Sequence, residues 1–229
     1  MDKLEIFQYI LRIPIVLLSL TIHEVAHGYA AYKLGDPTAK NLGRLSLNPL
    51  KHLDPIGAVC MLLFRFGWAK PVPINTRYFK KPKRDMALSA LAGPVSNLLM
   101  AFVAYIISAY IAQFGIKGGH FLQFGWDVQF LTQYGKIFYL CYLFFNNFYW
   151  LNISLAVFNL LPVPPLDGSR ILLVFLPDKL YFGIMKYERY IYLALMACLV
   201  FGLLDGVLTG VIWFFTMIFE QIAVRLPLL

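Results

Sequence analysis

Two long runs without a charged side chain are the most restrictive feature of this 229-residue sequence. Residues 86–116 form a run of 31 positions, and residues 137–166 a run of 30, that contain no Asp, Glu, Lys or Arg. A helix crosses the hydrocarbon core of a bilayer with about 20 apolar residues, so each run is long enough for a span. Only 14% of the residues are charged, against about 25% in soluble domains. The chain is therefore predicted to lie in a membrane.

Three further apolar segments complete the prediction of a mainly α, polytopic membrane protein. Residues 13–32 have Glu24 as their only charged member, and residues 190–204 and 206–219 are expected to form a hairpin that turns at Asp205. The periodicity and stop signals predict helices at about 4–34, 82–114 and 129–160. We expect one membrane-embedded domain over residues 1–229, with a core at about 4–176 and an additional C-terminal helical hairpin at about 183–225.

The segment between the first two long helices has a different composition. Residues 36–81 are punctuated by Gly and Pro, with an apolar run at 55–64 between two polar stretches. This pattern predicts a small β-containing, Pro-rich region at the membrane surface, with a re-entrant or interfacial segment inside it.

The whole chain has a net charge of +8. Its positive charge is concentrated in the same segment. Residues 33–84 contain eleven Lys and Arg, against Asp36 and Asp54 alone. Binding of nucleic acid or of an anionic substrate is one explanation. We favour the other, the excess of Lys and Arg in the cytoplasmic loops of membrane proteins. The predicted partner is then the lipid bilayer, with no nucleic acid, and residues 33–84 are expected on the cytoplasmic side.

Residues 23–27 read H-E-x-x-H within the first apolar helix. Residues four apart share a helix face, so His23 and His27 can bind one zinc ion while Glu24 beside them reaches a water molecule. In a soluble helix the pattern is often only a solvated face. Ionisable residues inside a membrane span are costly and usually functional, which favours a metal site here.

A catalytic zinc site needs a third protein ligand. Ala30 and Lys33 occupy the Gly and third His positions of the extended H-E-x-x-H-x-x-G-x-x-H pattern, which therefore does not apply. Asp167 is the strongest candidate, because three prolines break the preceding helix and deliver this carboxylate at membrane depth. The alternative is that Asp167 only caps the next helix.

Together these segments resemble the site-2 protease family of intramembrane zinc metalloproteases, in its compact bacterial form without a PDZ insert. The resemblance covers roughly residues 15–175. It rests on the H-E-x-x-H motif, on Leu-Asp-Gly at 166–168, and on four further motifs at 47–49, 54–57, 67–73 and 92–97.

The resemblance implies one zinc ion per chain, bound by His23, His27 and Asp167, with Glu24 as the general base that acts on a zinc-activated water. It implies hydrolysis of peptide bonds within or near transmembrane segments of membrane-protein substrates. The expected location is the bacterial plasma membrane, in a multi-pass protein whose active site lies toward the cytoplasm. An exposed strand edge in residues 36–81 is expected to hold the substrate in extended form.

Asn97 and Asn159 each lie near a Pro in an apolar helix. Either could donate to the substrate carbonyl or orient a metal ligand. The alternative for both is hydrogen bonding between helices, which is common for Asn in membrane bundles.

Two other functions use the same residues. A transporter or channel could hold an ion at a broken helix, but it does not need a carboxylate next to two His ligands. An inactive scaffold of the same fold is the third possibility, and the presence of His23, Glu24, His27 and Asp167 together argues against it.

Overall fold

A computed structural model of the chain describes residues 3–54, 57, 69–117 and 133–225. These residues are mainly helical. The α-helices, numbered here in chain order, are α1 (Lys3–Lys33), α2 (Thr38–Asn41), α3 (Pro82–Lys117), α4 (Gln133–Asn159), α5 (Asp167–Leu173), α6 (Asp178–Lys186), α7 (Glu188–Val200) and α8 (Asp205–Val224).

Within the part of the chain that the structure describes, four helices are long and apolar enough to cross a membrane, which confirms a helical integral membrane protein. The candidate spans are Ile10–Lys33, Pro82–Gln113, Ile137–Asn159 and Asp205–Val224. The C-terminal part is also helical, with a turn before α8 where Gly202 adopts φ +69°. Helix α7 has only 13 residues, fewer than the about 20 that a span requires.

The expected β-containing region is not found in the described part of residues 36–81. An isolated antiparallel bridge pairs Leu53 with Ala69, and two short 3-10 helices lie on either side of it, Pro49–Lys51 before and Thr76–Tyr78 after. Pro71 and Pro73 explain the missing ladder after Ala69, since neither has an N–H to donate. The predicted re-entrant segment at 55–64 lies outside the described residues except for Gly57, as do all of residues 118–132 between α3 and α4.

Helices α1, α3 and α4 pack against one another and form the core. Ala101 and Ala104 on α3 allow close approach of the neighbouring helices, and Phe219 brings α8 into the same cluster. Helix α5 packs on α3. Asp167 at the start of α5 lies 3.2 Å from His23 and from His27, in the C-terminal part of α1.

Candidate metal centre

One face of α1 carries three buried polar side chains at intervals of four residues. Ser19 is fully buried, and His23 and His27 are only 6% and 8% exposed. Ser19 accepts a hydrogen bond from Asn152 Nδ2 of α4 at 2.9 Å, which fixes this face against the neighbouring helix. The sequence prediction that both imidazoles share one face of a buried helix agrees with this placement.

Helix α3 presents a matching stripe of Ser89, Gly93 and Asn97. Asn97 Oδ1 lies 3.0 Å from His23 Nδ1, and the Ser89 carbonyl lies 2.8 Å from His27 Nδ1. Gly93 is between them, where an added Cβ would overlap the His27 ring and lie 2.7 Å from His23 Cε1. The missing side chain of Gly93 therefore makes room for both imidazoles.

These contacts fix which nitrogen of each imidazole carries the proton. The Ser89 carbonyl and Asn97 Oδ1 only accept hydrogen bonds, so His27 Nδ1 and His23 Nδ1 are the donors. Each Nε2 then carries a free lone pair, which is the form that binds a metal. The two Nε2 atoms face each other at 2.9 Å.

Asp167 reaches the same point from the first turn of α5. The loop before it folds back on the end of α4, and Gly168 packs so tightly there that a Cβ would overlap the Leu160 carbonyl. Asp167 Oδ2 lies 3.2 Å from His23 Nε2 and 3.2 Å from His27 Nε2. The structure thus brings together the three side chains that the sequence singles out, from two separate parts of the chain.

The donor set fits a tetrahedral metal ion. Asp167 Oδ2 is buried and has no hydrogen-bond donor, and it faces two nitrogen lone pairs. Zinc holds His and Asp ligands at about 2.0–2.2 Å in tetrahedral geometry, which separates the ligand atoms by about 3.3–3.5 Å. The observed separations of 2.9, 3.2 and 3.2 Å are close to this.

Glu24 contacts a different part of the chain. Its Oε2 accepts a hydrogen bond from the Val72 backbone N–H at 2.8 Å, and Val72 belongs to the Pro-rich segment that follows Ala69.

Asn159, which the sequence analysis pairs with Asn97 as a possible substrate contact, donates through Nδ2 to the Leu155 carbonyl of its own helix.

The sequence interpretation gave no role to Ser89, Gly93 or the Val72 amide, although Gly93 and Val72 lie in the motifs at 92–97 and 67–73. A signal for the first two is present, because Ser89, Gly93 and Asn97 recur every four residues and so share one face of an apolar helix. The spacing matches that of Ser19, His23 and His27 on α1. No pattern of residue types predicts the Val72 contact, because every residue except proline carries a backbone N–H.

Comparison with known proteins gives the family. The model of peptidase family M50 matches residues 12–204. The chain is 42% identical to "Putative zinc metalloprotease YwhC" of Bacillus subtilis over 76% of its own length and 73% of that protein. It is 25% identical to "Putative zinc metalloprotease Rip2" of Mycolicibacterium smegmatis, over 92% of its length and 72% of the relative.

A third relative is "Zinc metalloprotease MJ0392" of Methanocaldococcus jannaschii, 28% identical over 76% of this chain and 36% of that protein. No solved structure matches the chain. The family model covers most of the chain, and with the relatives it confirms the resemblance drawn from the motifs. The chain belongs to peptidase family M50, the site-2 protease family of metalloproteases.

Proposed function

We propose that this protein is an intramembrane zinc protease that cleaves transmembrane segments, with His23, His27 and Asp167 as the ligands of one zinc ion. The observation that carries the proposal is the convergence of two imidazole nitrogens and one carboxylate oxygen within 3.2 Å of one another in a buried site. The zinc metalloprotease names of the relatives support the choice of metal.

Zinc, when bound, supplies Lewis acidity that polarises the scissile carbonyl and makes water a stronger acid. The chain supplies the remaining chemistry. Glu24 accepts a proton from the attacking water and passes it to the leaving amine, because its carboxylate follows directly after the ligand His23. The hydrogen bonds from His23 Nδ1 to Asn97 and from His27 Nδ1 to Ser89 hold both rings in the required tautomer.

The substrate is proposed to be the transmembrane segment of a membrane protein. A helix keeps its carbonyls in hydrogen bonds, so the bond to be cut must lie in a locally unwound stretch. The segment after Ala69 lies next to Glu24, but residues 71–73 are not a candidate edge for strand addition, because Pro71 and Pro73 have no N–H and the Val72 N–H is donated to Glu24. Asn159 is a candidate for a substrate contact, at the end of α4 before the loop that leads to Asp167.

The active site is proposed to lie toward the cytoplasmic side of the bacterial plasma membrane. The basic residues of 33–84 follow α1 directly, and the positive-inside rule assigns them to the cytoplasm. His27 is six residues from the end of α1 at Lys33, which is about 9 Å along a helix. Water therefore has a short path to the site from that side.

The test is cleavage of a membrane-spanning peptide by the purified full chain in detergent. We expect cuts inside the hydrophobic segment, located by mass spectrometry, that stop on chelation and resume when zinc is returned. Asp167→Ala should lower the bound zinc. If chelation leaves cleavage unchanged, the proposed metal chemistry is wrong. Ion flux through liposomes containing the chain, without peptide cleavage, would instead favour the transporter.

A further inference from the structure

Residues 70–75, called the strap here, lie outside any helix or strand and pass beside the turn of α1 that carries Glu24. Both ends are hydrogen-bonded to other parts of the surface region. At the start, Lys70 N–H donates to the His52 carbonyl at 2.8 Å, and the Lys70 carbonyl accepts from Arg44 at 2.7 Å. At the end, Asn75 N–H donates to Asp36 Oδ2 at 2.7 Å.

Between these ends, the strap touches the proposed catalytic base through one backbone group. Val72 N–H donates to Glu24 Oε2 at 2.8 Å. Pro71 and Pro73 on either side have no N–H, so Val72 is the only backbone donor in residues 71–73. The sequence Pro-Val-Pro thus presents a single amide to the carboxylate.

Side-chain packing sets how closely the strap approaches α1. Val72 is 7% exposed, and a Cβ added to Gly28 would lie 2.9 Å from its Cγ1. The same Cβ would lie 2.9 Å from Leu45 Cδ2. Gly28 follows directly after His27, so the absence of its side chain lets the strap lie against the turn that carries Glu24.

We propose that the Val72 amide is a positioning group that orients Glu24 for proton transfer, an inference that rests on the proposed function. A carboxylate has two oxygens, and the amide binds Oε2, which leaves Oε1 for the reacting water. A Glu side chain has three rotatable bonds, so a fixed donor limits the orientations it samples. Proton transfer depends on such alignment.

Asp36 anchors the Asn75 end of the strap and so keeps the Val72 amide in place. It is fully buried, just after the end of α1, and its Oδ1 accepts from the N–H and the hydroxyl of Thr38. Its Oδ2 accepts from Asn75 at the end of the strap. Glu24 in α1 and Asp36 just after the end of α1 therefore hold the strap by two of its amides.

Two variants of Val72 separate the amide from the side chain. Val72→Pro removes the side-chain packing and the N–H, whereas Val72→Ala removes only packing. In the zinc-loaded full chain, we expect kcat of Val72→Pro to be about 10- to 100-fold below that of Val72→Ala, with equal KM and equal zinc content. Equal kcat values in the two variants would overturn the positioning role.

Hydrogen–deuterium exchange tests the contact without measuring activity. Because Pro71 and Pro73 have no amide hydrogen, exchange in residues 71–73 reports Val72 alone. We expect Glu24→Ala to accelerate exchange of the Val72 amide about tenfold or more, while the Asn75 amide keeps its wild-type rate. Unchanged exchange at Val72 would contradict the proposal.

The two proposals fail in different ways. If Glu24→Gln cleaves as fast as wild type, the assignment of the general base is wrong, whatever Val72 does. If Glu24→Gln is inactive but Val72→Pro and Val72→Ala have the same kcat, the base stands and only the positioning role is lost.

Discussion

Asn97 accepts a hydrogen bond from His23 Nδ1 at 3.0 Å across the interface between α3 and α1. Asn97 is fully buried, so this hydrogen bond is shielded from bulk water. The bond joins residues 74 positions apart in sequence and fixes both the ring orientation and the tautomer of His23.

The Asn97 contact predicts a loss of metal affinity in Asn97→Leu. Removing a hydrogen-bond partner of a metal-binding imidazole costs about 10- to 100-fold in affinity, and we expect a loss of that size. The zinc dissociation constant, measured by competition with a chelator, checks it. Asn147→Leu is the control, because Asn147 Nδ2 donates to the Leu143 carbonyl of its own helix. Equal loss of affinity in both variants would contradict a specific role for Asn97.

A side chain added at Gly93 is expected to displace the same two imidazoles. A methyl group there would overlap the His27 ring, so Gly93→Ala should displace it and reduce bound zinc about tenfold or more. Gly210→Ala in α8 is the control, since a Cβ there meets nothing within 4 Å. Zinc content measured on both purified variants should fall only for Gly93→Ala. Full zinc occupancy in Gly93→Ala would show that α3 can move away.

A side chain added at Gly168 is expected to displace the third ligand, Asp167. An added Cβ would overlap the Leu160 carbonyl and lie 2.5 Å from the Leu161 oxygen, and backbone atoms cannot turn aside as a side chain can. We expect Gly168→Ala to shift Asp167 and to weaken zinc binding about tenfold or more. Gly183→Ala in α6 meets nothing within 4 Å and should bind zinc as wild type does. Similar zinc affinity in the two variants would argue against this account of the loop.

Much of the fold follows from charge patterning. The uncharged runs at 86–116 and 137–166 correspond to α3 and α4, and residues 13–32 lie inside α1, because a bilayer requires apolar helices of this length. The prediction of a β-containing region is wrong for a local reason. The Gly- and Pro-punctuated composition of residues 36–81 suggests short strands, but without N–H groups at Pro71 and Pro73 a ladder cannot form there.

The site was predictable only in part. The spacing of His23 and His27 is a local property of one helix, so it can be read from the sequence. The contacts of Asn97 and Ser89 with these rings depend on how α3 is rotated against α1, which composition does not specify. The Val72 contact depends on the path of the backbone, and any non-proline residue would supply the same donor.

The proposed mechanism predicts that the helical stability of the substrate limits turnover. Replacing one Gly near the cut with Ala strengthens a helix by about 1 kcal/mol, which should slow cleavage about fivefold. Turnover of a matched pair of membrane-spanning peptides under identical detergent conditions measures the effect. Equal rates for the two peptides would mean that unwinding does not limit the reaction.

The most direct test of the whole account compares wild type with Glu24→Gln in one preparation, with bound zinc and peptide cleavage measured on the same samples. We expect one zinc ion per chain in both proteins, and cleavage by Glu24→Gln at least about 100-fold slower than by wild type. Cleavage at the wild-type rate by Glu24→Gln, with zinc bound, would contradict the central claim that this carboxylate is the base of a metalloprotease.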